Sequence, residues 1–170
     1  VINGFAVDEP SGGDDEFSVA EEGKSAIAKA AAVNEITDET GVKAVANETS
    51  VTGSAVNTSS LPDGSADIEL NGETITLPSG DGNTPESFLS SVADKINESK
   101  EATGVEASFS GDPATGIELT AEDGRNITID ATGATGGSVT NVANDEDIAE
   151  AFGLTNTDPR GNAQLERTFT

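Results

Sequence analysis

The chain has 170 residues and a formal net charge of −24, from 32 acidic and 8 basic side chains, and it contains no Cys, His, Trp, Tyr or Met. These absences exclude disulfides, thiolate chemistry, the usual zinc ligands and a histidine general base. The charge argues against nucleic acid or an anionic membrane surface as a partner, because both call for basic patches.

In chain order, Val1-Ile2-Asn3-Gly4-Phe5-Ala6-Val7 reads as a hairpin tip, with Asn-Gly supplying the positive φ values of a type I′ turn. The acidic, Gly/Ser-rich stretch Asp8 to Glu16 reads as a mobile loop. A helix is predicted from Ser18 or Ser25 to Glu35. Ser18 and Glu21 have capping-box spacing, but Gly23 interrupts that start and leaves Ser25 as the alternative cap. Its apolar stripe is Ile27, Ala30 and Val33, and Val42, Ala44 and Ala46 alternate beyond it as a strand. Asn47 to Gly64 is polar, carries Pro62 and reads as a linker or long loop.

The next stretch is more sharply patterned. Ala66, Ile68 and Leu70 lead to Asn71-Gly72, and Ile75 and Leu77 follow. A two-residue hairpin pairs Ile68 with Ile75 and Ala66 with Leu77. Thr84-Pro85-Glu86 opens a helix that runs to about Ser99, with Thr as N-cap and Pro in the first turn. Its Leu89, Val92 and Ile96, with Phe88 alongside, are expected to pack on a sheet containing Ile68, Ile75, Leu119 and Ile129. Three alternating runs, Val105 to Phe109, Ile117 to Ala121 and Ile127 to Ala131, read as a β-meander. Gly133 to Gly137 is a link. A short helix from Asp145 to Phe152 is expected to bury Ile148 and Phe152 against Ile27, Ala30 and Val33. No periodicity marks the tail from Leu154 to Thr170.

One segment occurs twice. Ile2-Asn3-Gly4 is followed by an alanine-rich stretch, Val33-Asn34-Glu35 and Thr40-Gly41-Val42-Lys43-Ala44. Leu70-Asn71-Gly72 is followed by Ile96-Asn97-Glu98 and Thr103-Gly104-Val105-Glu106-Ala107. The step from Asn34 to Gly41 equals that from Asn97 to Gly104. Such an internal repeat points to a modular structural or binding protein rather than an enzyme built round one cleft. The expected fold is α+β, each repeat having a β-hairpin and one main helix on antiparallel sheet. The second domain, 65–133, is expected to be inserted in a first domain made of 1–62 and 134–170, so that the link regions form adjacent crossings.

The doubled Asn-Gly unit resembles the Asn-Gly repeat in the variable outer domains of bacterial flagellin. The turn Ala121-Glu122-Asp123-Gly124-Arg125-Asn126-Ile127 is similar to a segment common there. The resemblance covers most of residues 1–133 and implies a structural component of the extracellular motility filament. It implies neighbouring flagellin subunits as partners, through parts outside this segment. Flagellin polymerises through long terminal helices with heptad-like patterning, which this chain lacks. The expectation is therefore an outer region, monomeric by itself, from a processed protein or an excised fragment, since Val1 stands where an initiator Met would. The alternative is an adhesive or capping module of a hook-associated or filament-cap protein. The acidic composition suggests a halophilic or marine source.

No catalytic, cofactor-binding or metal-ligating residue is expected. Asp14-Asp15-Glu16, Asp81-Gly82-Asn83 and Asp145-Glu146-Asp147 offer hard oxygen ligands, but none fits the EF-hand spacing. Two-carboxylate sugar hydrolysis is disfavoured because the six Phe are the only aromatic residues. The triplets at Asn47, Asn57, Asn97 and Asn126 match the N-glycosylation pattern. No apolar run reaches the ~20 residues of a membrane span.

Overall fold

The computed structural model describes residues 1–131, 139 and 148–155. It is an α+β structure with antiparallel sheets. The elements are α1 (Ala26–Asn34), α2 (Thr37–Thr40), β1 (Thr49–Val51), β2 (Ala66–Leu70), β3 (Glu73–Leu77), α3 (Pro85–Asn97), α4 (Lys100–Thr103), β4 (Glu106–Phe109), β5 (Ile117–Ala121), β6 (Ile129–Asp130) and α5 (Ile148–Ala151). Among the described residues the strands form two three-stranded sheets, ordered β1-β5-β4 and β3-β2-β6.

The second hairpin forms as its alternation requires. Ile68 faces Ile75 and Ala66 faces Leu77, with Asn71 at φ 47° and Gly72 at φ 81° in the turn. The α3 helix begins where Thr84 accepts the Ser87 N–H and Ser87 returns the bond, with Pro85 in the first turn. Phe88, Leu89, Val92 and Ile96 are fully buried, and so are Ile68, Ile75, Leu119 and Ile129 to within 2 % exposure. The helix packs on β4 of one sheet and β3 of the other. The expected single sheet is thus divided, with the α3 core as the common filling.

The β-meander breaks after its second strand. Strands β4 and β5 pair, with Ala107 opposite Leu119, but the third run crosses to the other sheet, where Ile129 pairs with Leu70. The place beside β5 is taken instead by β1, with Val51 opposite Leu119. Residues 49–51 lie in the stretch that reads as a linker. Three residues are too few for an alternation to stand out, and their pairing comes from a distant strand. Conversely, Val42, Ala44 and Ala46 are half-buried and alternate with exposed neighbours, yet no strand forms there, and among the described residues no strand pairs with this segment.

Helix α1 starts at Ser25, whose hydroxyl accepts the Ala28 N–H. It buries Ala28 and Ala32, while the expected stripe of Ile27, Ala30 and Val33 is only half-buried. Small side chains face inward because α1 sits against the turns Gly12–Asp14 and Glu22–Lys24 rather than a sheet. The first Asn-Gly tip is also reduced. It has a single bridge between Ile2 and Phe5, with Asn3 at φ 51° and Gly4 at φ 91°.

The short helix is seen as α5, while Asp145, Glu146 and Asp147 lie outside the described residues. Its packing differs from expectation. The Phe152 ring tilts against Phe88 with centroids 5.5 Å apart, and Ile148, Phe152 and Leu154 join the α3 core rather than α1. A fully buried Phe needs a wide apolar wall. The α3 side supplies one, and the alanine face of α1 does not.

Candidate functional site

Two features draw polar side chains together across long sequence separations. The first is a set of asparagine clamps. Asn97 lies at the end of α3, and its amide oxygen accepts the Ala107 N–H at 2.8 Å while its nitrogen donates to the Ala107 carbonyl at 2.9 Å. This satisfies the outer edge of β4, which has no strand beyond it among the described residues. Asn34, at the end of α1, does the same for Ala44 at 2.8 and 3.0 Å. Thr103 Oγ1 donates back to the Ser99 carbonyl and accepts the Val105 N–H. Thr40 Oγ1 donates to Ile36 and accepts from Val42. Asn71 donates to the Thr103 carbonyl at 3.0 Å, and Asn3 donates to the Thr40 carbonyl at 3.0 Å. Gly41 and Gly104, both at φ 69°, make the left-handed turn that lets each threonine carbonyl face its asparagine.

The second feature is a junction around the turn at Asp123 to Asn126. Asp123 accepts from Arg125 Nε and from Nη2, the latter at 2.6 Å. Arg125 Nη1 donates to the Thr103 carbonyl, and the guanidinium lies 5.2 Å from the centroid of the Phe17 ring. The acidic loop reaches this turn from far away in sequence. Ser18 Oγ accepts the Asn126 N–H at 2.8 Å, and Asn126 Nδ2 donates to the carbonyls of Ala20 and Glu21. Thr128 donates from its N–H to Asn71 Oδ1 at 2.8 Å.

Asp15 organises the loop. It is 4 % exposed, and its Oδ1 accepts the N–H groups of Phe17 and Ser18 at 2.9 and 3.0 Å. Its Oδ2 has no partner in hydrogen-bonding geometry, and the hydroxyls of Ser18 and Ser25 are the groups able to rotate to it. Burial pushes this carboxyl up, but those hydroxyls and the two amides outweigh it and hold Asp15 below the usual range. Burial acts the same way on Asp123, where the bonds and charge of Arg125 prevail and lower it.

The acidic clusters separate accordingly. Asp14 is spent on the Ser11 N–H, Asp15 on its own loop, and Asp81 is exposed beside Asn83, whose amide bonds backbone. Among the described residues no group of three or more acids is placed to hold a metal ion. A shallow groove lined by Glu9, Glu21, Glu22, Lys24 and Lys29 is open and mixed in charge. Of the four glycosylation-type asparagines, Asn97 and Asn126 are committed to backbone partners, whereas Asn47 and Asn57 are exposed. No described helix is long and apolar enough to cross a membrane.

Sequence reasoning missed the loop junction. Asp15-Glu16-Phe17-Ser18 has the Asx-turn composition of a self-ordering loop, a signal obscured by the surrounding Gly, Ser and acids. No protein-family model matches the chain, and neither does any curated protein.

Proposed function

We propose that this chain is the solvent-exposed outer region of a bacterial flagellin, a structural part of the extracellular motility filament and not an enzyme. The observation that carries the reading is the recurrence of one hydrogen-bond set at two places. In each, a helix-terminal asparagine clamps an alanine ten residues on, a Thr-Gly turn follows the helix, and a hairpin asparagine reaches the threonine carbonyl. These are the residues on which the resemblance to the flagellin Asn-Gly repeat rests. Both sets serve backbone, which suits a part selected to persist as structure.

We further infer that the two units are repeats and that the second is inserted in the first. The crossings support this. Ser54 N–H donates to the Gly153 carbonyl, and Thr155 Oγ1 lies 3.1 Å from Ser54 Oγ and donates to the Thr52 carbonyl. The chain therefore enters and leaves the second unit side by side. Because β1 and α5 pack with the α3 core, we infer that the inserted unit takes in these elements as well as the 65–133 expected from sequence. Adjacent crossings let an outer region rise from a filament core and return to it.

Antibodies raised against this segment should decorate the outside of filaments in immuno-electron microscopy of the source organism. The complete gene should place long amphipathic helices on both sides of the segment. Undecorated filaments, or a gene without such helices, would reject the assignment.

A further inference from the structure

The two Asn-Gly tips share a turn but differ in what holds them. Asn3 and Asn71 both stand in the left-handed region, at φ 51° and 47°, each ahead of a glycine. At the second tip Asn71 is 7 % exposed. Its Oδ1 accepts from the Thr128 N–H and hydroxyl at 2.8 and 3.2 Å, its Nδ2 donates to the Thr103 carbonyl, and its N–H donates to the Thr128 carbonyl. The hairpin behind it is paired from Leu70 and Glu73 back to Ala66 and Leu77. At the first tip Asn3 and Gly4 are exposed. Behind them stands one bridge, in which Ile2 and Phe5 exchange N–H···O bonds of 2.8 and 2.9 Å. Among the described residues the Asn3 side chain makes one hydrogen bond, from Nδ2 to the Thr40 carbonyl at 3.0 Å. A Cβ added at Gly4 would meet no atom within 4 Å.

We propose that Asn3-Gly4 is a site of spontaneous covalent modification, at which the asparagine cyclises to a succinimide and opens to aspartate and isoaspartate. Asn71-Gly72 is protected from the same reaction by its fold. The Gly4 nitrogen gives its proton to hydroxide and attacks Asn3 Cγ. The new N–C bond forms as the bond from Cγ to Nδ2 breaks, and Nδ2 takes a proton from water and leaves as ammonia. Water then adds to either ring carbonyl and breaks its bond to the Gly4 nitrogen, which regains a proton. Glycine leaves the attacking nitrogen unobstructed, since no side chain stands beside it. The step requires the asparagine side chain to swing onto the peptide group that follows it. At Asn3 this takes the loss of one exposed side-chain bond and one exposed bridge, the kind of local opening that is easiest. At Asn71 three side-chain bonds must break in a buried site, each contributing a factor of about 2 to 10. The product at the first tip carries a carboxylate where the amide donor stood. It repels the Thr40 carbonyl instead of bonding it, so conversion unfastens the tip from Thr40 and adds one negative charge.

The test is to age the full chain in warm, mildly alkaline buffer made with heavy-oxygen water and to map it by tryptic digestion and mass spectrometry. The peptide from Val1 to Lys24 holds Asn3 as its only asparagine, and Asn71 falls in the peptide from Ala44 to Lys95. Asn3 should become acid with one heavy oxygen, as separable aspartate and isoaspartate forms, at least about tenfold faster than Asn71. In concentrated urea, where neither tip exists, the two asparagines should react at similar rates, which ties the native difference to structure. Equal native rates, faster reaction at Asn71, a product at Asn3 that is aspartate alone, or a difference that persists in urea would each overturn the proposal.

Discussion

Replacing Asn97 by Ala isolates the clamp on β4 and can be compared with Asn34→Ala, which removes the same two bonds at another site. At Ala107 the lost partners leave an N–H and a carbonyl at a position only 4 % exposed. Each intramolecular bond contributes about 0.5–1.5 kcal/mol net, and each buried group left unpaired costs about 1–3 kcal/mol. Two bonds with incomplete water access therefore give about 2–4 kcal/mol for Asn97→Ala. Ala44 is half-buried, so water replaces the side chain and Asn34→Ala should cost about 1 kcal/mol. Urea unfolding with a common slope gives both values from the shift in midpoint. Hydrogen exchange at the Ala107 amide should accelerate in Asn97→Ala while the α3 core amides keep their protection. Equal costs at the two sites, or an Asn97→Ala cost under about 1 kcal/mol, would refute the reasoning that burial sets the worth of the clamp.

Truncating Phe152 to Ala removes a fully buried ring from the Phe88 contact and should destabilise by about 3–5 kcal/mol in the same unfolding assay, with no comparable loss for Val33→Ala on the half-buried face of α1. Gly53→Ala should prevent or severely weaken folding, since its Cβ would lie 2.3–2.4 Å from backbone atoms of Gly153 and Ile117. Gly41→Ala meets only the strain of φ 69° in open space and should cost about 1–2 kcal/mol, measured by thermal melting. Asp15 and Asp123 have lowered pKa values when folded, so the stability they add is full above the unfolded value near 3.8 and is lost as pH falls through the folded values. Melting temperature should thus drop below about pH 4, less steeply in Asp15→Asn, and an unchanged slope in that variant would contradict the role given to Asp15. Raising sodium chloride from 0.1 to 1 M shortens the Debye length from about 10 to about 3 Å and should raise the melting temperature by relieving self-repulsion; a flat or falling value would contradict this.

Local signals carried much of the fold. The Asn71-Gly72 hairpin and the Thr84-Pro85 helix start depend on φ preferences and capping within a few residues, so alternation and turn chemistry specify them without the rest of the chain. The choice between Ser18 and Ser25 as helix cap was open in sequence, because both have the right chemistry. Tertiary structure decided it by engaging Ser18 with Asn126 instead. The same holds for strand partners. Nothing in Thr49-Ser50-Val51 names β5 as its neighbour, and nothing in Ile129-Asp130 prefers β2 to β5, since edge pairing is set by which backbone groups remain unmatched after the core closes. The α5 residues were legible as apolar, but their destination required the volume of the Phe88 wall, a property of packed side chains and not of any window of sequence. The doubled Asn-Gly and Thr-Gly-Val spacing belongs to the sequence alone. That Asn71 at the second tip is buried against Thr128 while Asn3 at the first tip is exposed was decided only in three dimensions, where segments 57 residues apart meet.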